Sequence, residues 1–97
     1  MNEMLEPSEQ LFFKLCSDHL AIEAIPRRQV HVDLSRFKDH FGDYAITLWT
    51  PSFVVLKGSS GEEITLRRNG NMIIRNTGSE EVARVTATKI LTLAACD

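Results

Sequence analysis

Between Pro51 and Asn76 apolar and polar side chains alternate from Glu63 to Arg67, short apolar runs lie on either side, and glycine-bearing turns separate the three segments. Only a β-strand sends every second side chain to the same side, so the pattern predicts antiparallel strands with one buried face. The strands are expected at Phe53 to Lys57, Glu62 to Arg68 and Met72 to Asn76, with Gly58-Ser59-Ser60-Gly61 as the first turn. For the second hairpin, a two-residue Asn69-Gly70 loop would set Leu66 opposite Ile73 and bring Arg75 onto the apolar face. A three-residue Asn69-Gly70-Asn71 loop pairs Leu66 with Ile74 and Arg67 with Ile73. It gathers Ile64, Leu66, Met72 and Ile74 on one face, and is the expected register.

The rest of the chain is read around this sheet. Leu11, Phe12, Leu15, Cys16 and Leu20 recur at helical spacing after Pro7 and Ser8, which predicts an N-terminal helix over 8–20 with Cys16 as a buried thiol. Val30, Val32 and Leu34 alternate with Gln29, His31 and Asp33, which predicts a strand from Arg28 to Leu34. Ser35 can cap a short helix over 35–42, and Asp43 to Trp49 fits either the end of that helix or a short strand. Ser79 can cap a last helix over 79–94, with Glu80 and Glu81 facing its N-terminal dipole and Glu80 four residues before Arg84. Val82, Val85, Ile90 and Leu93, with Ala83, Ala87 and Ala94, are its expected core face. Together these predict one α+β domain over residues 1–97. Its expected form is a two-layer sandwich: an antiparallel sheet of four to five strands within residues 28–76, helices packed on one face.

Composition narrows the function classes. Apolar residues are 43% and charged residues 25% of the 97, as in ordinary globular domains, which excludes collagen-like and largely disordered chains. A formal charge of -2 lacks the basic footprint of an autonomous duplex binder. Apolar runs such as Phe53-Val54-Val55-Leu56 are far shorter than a membrane span, and Met1 to Pro7 is acidic rather than a basic leader, so a cytoplasmic location is expected. Cys16 and Cys96 lack metal or redox spacing. His31, Asp33 and His40 can be drawn as a metal set, but nothing in the sequence fixes their convergence, and Glu62 and Glu63 point to opposite faces of a strand. No nucleotide, metalloprotease or nucleophile-elbow motif is present. The expectation is a protein without catalytic residues, metal or cofactor.

If Val54, Leu56, Ile64, Leu66, Met72 and Ile74 face the helices, alternation puts Phe53, Val55, Lys57, Thr65, Arg67, Ile73 and Arg75 on the other side. Solvated faces are more uniformly polar, so this mixture of apolar and cationic positions predicts a surface that meets a partner. The expected function is a non-catalytic interaction module. Phe53, Val55, Lys57, Arg67, Ile73 and Arg75 would serve homodimerisation or a protein partner. The alternative is nucleic-acid binding through the same face as a homodimer, with Phe53 stacking and Arg67 and Arg75 on phosphates.

The run from Gly70 through Met72 to Thr77-Gly78-Ser79-Glu80-Glu81 resembles the hairpin-to-helix segment of one TATA-box-binding-protein repeat, and Thr50-Pro51-Ser52-Phe53 is similar to the Asn-Pro-x-x-Phe that opens its preceding strand. The chain also resembles small archaeal proteins likened to half of that fold. In the family, two repeats form a saddle whose sheet wedges Phe side chains into the minor groove. The resemblance implies a half-saddle here, in which two identical chains pair as the two repeats do. Phe53 takes one wedge position; Arg67 stands where the family has a second Phe. Ile73 matches a groove-contacting Val and Arg75 replaces a base-contacting Thr. A double-stranded-RNA-binding domain shares the helix, three strands and helix order, but places lysines where this chain has Glu80 and Glu81.

Overall fold

The computed structural model describes residues 11–15, 21–39 and 41–94. Three strands follow the alternation directly: β4 Phe53–Lys57, β5 Glu63–Arg67 and β6 Met72–Arg75. Three more precede them, β1 Leu11–Leu15, β2 Ala21–Pro26 and β3 Ala45–Trp49, and among the described residues the one α-helix, α1, is Glu80–Ala94. All neighbouring strands are antiparallel in the order β1-β2-β6-β5-β4-β3, giving a sheet of six strands rather than four to five. The extra strands come from segments whose short apolar runs satisfy two periods at once. Leu11 to Leu15 is a strand and not part of a helix over 8–20. Leu11 and Phe13 turn to the core, while Phe12 and Lys14 turn away, an alternation that adjacent phenylalanines conceal. The remainder of that expected helix, with Cys16, lies outside the described residues, as do His40 and Cys96.

The expected strand from Arg28 to Leu34 is instead an extended link. Val32 and Leu34 are buried as the alternation requires, but β2 already occupies the free edge of β6, so the link has no ladder to join. It is tied down by the Val32 amide donating to the Arg68 carbonyl at 2.7 Å. A 3-10 turn over Leu34–Phe37 replaces the expected helix over 35–42, and its cap is Asp33 rather than Ser35: the Asp33 carboxylate accepts from the Ser35 amide at 3.1 Å. Asp43 to Trp49 resolves as strand, with β3 starting at Ala45.

Both later hairpins use the same turn. Gly61 donates its amide to the Gly58 carbonyl and Gly70 to the Arg67 carbonyl, and each glycine has positive φ, +91° and +87°. This is a type I turn closed by a left-handed residue, which fixes glycine at the third loop position. The β5–β6 loop is therefore Arg68-Asn69-Gly70, one residue earlier than expected, and Leu66 pairs with Met72 instead of Ile74. Thr65, not Arg67, lies opposite Ile73. The displacement is two residues, an even number, so the faces keep their expected members.

The core lies between the sheet and a second layer made of α1 and the 30–44 segment. Val54, Leu56, Ile64, Leu66, Met72 and Ile74 meet Ala83, Ala87, Ile90 and Leu91 on one side and Val32, Leu34 and Phe41 on the other. Ser79 caps α1, accepting from the Val82 amide at 3.2 Å. The helix buries Ala83, Ala87, Ile90 and Ala94 as expected, but its stripe is rotated away from the valines. Ala83, Thr86, Ala87, Ile90, Leu91 and Ala94 are buried, whereas Val82, Val85 and Leu93 are 46%, 63% and 40% exposed. Small side chains let the helix backbone approach the sheet, which bulkier valines would hold off.

Candidate interaction surface

Opposite α1, the sheet presents a second face over which no described residue packs as a layer. The strand registers organise it into rows running across the strands. One row is Lys14, Glu23, Ile73, Thr65, Val55 and Leu48, one residue from each of the six strands. Towards the Gly58–Gly61 turn the next row is Ala21, Arg75, Glu63, Lys57 and Ala45. At the opposite end, Phe12 pairs with Ile25 and Arg67 with Phe53.

All six residues expected to bind a partner, Phe53, Val55, Lys57, Arg67, Ile73 and Arg75, share this face. The apolar members Phe53, Val55 and Ile73 are partly buried by their neighbours, and the three cations are exposed. Sequence reasoning missed Phe12, Lys14, Glu23, Ile25, Leu48 and Glu63, which enlarge the apolar band and add carboxylates to it. Phe12 and Leu48 are 49% and 50% exposed, so large apolar side chains reach water at both edges of the sheet. The Arg27 guanidinium sits 6.0 Å from the Phe12 ring centroid, at the limit of a cation–π contact.

Leu48 reaches this face through a bulge. Between Ile46 and Leu48 the β3 register shifts by one residue at Thr47, so Ile46 and Trp49 both turn inward and Leu48 turns outward. Trp49 is the anchor that fixes the bulge: its indole Nε1 donates to the Leu34 carbonyl at 2.9 Å, and the Lys38 ammonium lies 4.8 Å from its ring centroid. Phe53 is set by the β3–β4 turn, where the Thr50 hydroxyl accepts from the Phe53 amide at 2.9 Å and the Thr50 amide donates to the Phe53 carbonyl at 2.9 Å. A bulged edge strand also resists further strand addition.

Clefts lie elsewhere among the described residues. One, of about 390 Å³, opens between Leu15, Ile22 and Ile74 and the start of α1 at Ser79 and Glu80. Another, of about 200 Å³, is bounded by His31, Asp33, Trp49 and Arg68. Hydrogen bonds from the Ser35 side chain and amide hold the Asp33 carboxyl below the usual carboxylate range. Those bonds commit Asp33 to capping the 3-10 turn. Tyr44, beneath α1, has its phenol pushed above its usual range by burial, with Glu62 and Asp43 adding to the effect. Among the described residues no three His, Cys, Asp or Glu side chains come together as a metal set, and no helix is long and apolar enough to cross a membrane. Comparison of the chain with protein-family models, curated proteins and solved structures finds no match.

Proposed function

We propose that the chain is a non-catalytic interaction module that binds a second copy of itself through the open sheet face. The carrying observation is the apolar band of Phe12, Ile25, Ile73, Val55, Phe53 and Leu48, set among charges of both signs. A face of this composition gains free energy when covered, and interfaces concentrate apolar residues at the centre with charges around them. Glu23 and Glu63 lie among the cations of the face, where phosphates would have to approach, and this favours a protein surface over a nucleic-acid backbone as the occupant.

The test is size-exclusion chromatography with light scattering on the wild type and on Phe53→Ala/Ile73→Ala, each at low salt with and without mixed duplex and single-stranded DNA. The wild type is expected to run as a dimer that ignores DNA, and the double variant as a folded monomer. A wild-type monomer that shifts only with DNA would replace this reading with nucleic-acid binding, and a monomer indifferent to both would end it.

A further inference from the structure

We infer, on the reading that this face binds a second copy, that the two copies stack face to face about a two-fold axis running parallel to the strands between β5 and β6. Such an axis passes through the middle of the six-strand order, with β1, β2 and β6 on one side and β5, β4 and β3 on the other. Rotation about it keeps each row in place and reverses the strand order, so β6 of one copy covers β5 of the other and β2 covers β4.

The charge pair beside the axis favours this operator. Arg75 and Glu63 are direct cross-strand neighbours on β6 and β5, one on each side of the axis. Rotation therefore lays Arg75 over Glu63 of the second copy, and Glu63 over its Arg75, giving two equivalent opposite-charge contacts. Because they flank the axis, the angle of about 30° between packed sheets displaces them little. Ile25 of one copy meets Phe53 of the other, since each lies two residues from the central row, beyond Glu23 on β2 and Val55 on β4, towards the same end of the sheet. The other in-plane two-fold, lying along the central row, would stack Lys14 on Lys14 and Glu23 on Glu23, and like charges set opposite each other disfavour it.

The size of the face agrees. Strand spacing of about 4.8 Å makes the face roughly 24 Å wide, and its three rows span about 13 Å along the strands. With side-chain margins this is on the order of 600 Å² per copy, or ~1,200 Å² in total, at the lower end of what a specific dimer buries. A dimer of micromolar strength fits such an interface.

Charge reversal tests the axis. Glu63→Arg and Arg75→Glu are made separately, and sedimentation equilibrium is run on each, on the wild type and on their equimolar mixture. Each reversed chain sets like charges against its own copy and is expected to weaken dimerisation at least tenfold. In the mixture every contact at the axis is again opposite in sign, so a heterodimer is expected within about threefold of wild-type affinity. Contacts within each chain are identical before and after mixing, so a purely intramolecular effect cannot produce that recovery. Arg75→Glu dimerising like the wild type, or a mixture that stays monomeric, overturns the axis. If the wild type dimerises, Phe53→Ala/Ile73→Ala abolishes it and the mixture fails, the axis is wrong and the face assignment stands. A monomeric wild type removes both. Should a reversal unfold the chain, Glu63→Gln and Arg75→Gln are expected to weaken dimerisation several-fold, and an unchanged dissociation constant contradicts the axis.

Discussion

Gly70 sets the register of the central hairpin. Its φ of +87° is open to glycine and strained for any L side chain, and a Cβ added there would stand 2.9 Å from Pro26 Cγ and 3.2 Å from Val30 Cγ1. Two requirements thus meet at one residue: a left-handed turn and room for the link that leaves β2. Gly61 occupies the same place in the preceding hairpin, but a Cβ there meets nothing within 4 Å. Gly70→Ala is expected to cost about 1–3 kcal/mol in urea denaturation, and more than Gly61→Ala, where backbone strain acts alone. Equal losses at both positions would assign the whole effect to the turn. The sequence announced a turn at Asn69-Gly70, but not that the glycine must close the loop rather than sit in its middle. That distinction moved Leu66 from Ile74 to Met72.

The elements were legible where one period fits and illegible where two do. Phe53–Lys57, a short apolar run closed off by Pro51 and Gly58, is a strand at its expected bounds. Leu11–Leu15, with its two adjacent phenylalanines, fits a helix stripe and a strand face equally, and its pairing with β2 decides between them. Ala21–Pro26 went unread, although Ile22 and Ala24 alternate with Glu23 and Ile25, because its open face is itself partly apolar. The open-face residues on β4, β5 and β6 were accessible by alternation; those on β1, β2 and β3 depend on pairing partners and on the Thr47 bulge. In α1 the start, cap and length were readable, and so were Ala83, Ala87, Ile90 and Ala94 on its buried stripe; Thr86 and Leu91 were not, and Val82, Val85 and Leu93 point outward instead. Ala87→Leu should therefore destabilise the fold by about 1–3 kcal/mol through overpacking. Val85→Ser, at 63% exposure, should change stability by less than ~0.5 kcal/mol. Thermal unfolding of the two variants checks the orientation, and the reverse ranking would rotate the helix back to the valine stripe.

At the scale of the molecule, the sheet has two faces, and among the described residues only one of them is closed, by α1 and the segment that follows β2. A chain of 97 residues buries a smaller share of its surface than larger domains do, so covering the second face adds stability that its own core does not supply. Self-association through Phe53, Val55 and Ile73, with Arg75 set against Glu63, joins the fold to its proposed use. Dimer strength should then carry over into stability: the melting temperature is expected to rise with protein concentration in the wild type and to be independent of it in Phe53→Ala/Ile73→Ala. The most direct measurement is sedimentation equilibrium of the wild type across a concentration series from micromolar to millimolar. A mass rising from 11.0 kDa to twice that value and stopping there is the expected result. A mass that stays at 11.0 kDa throughout would contradict the account.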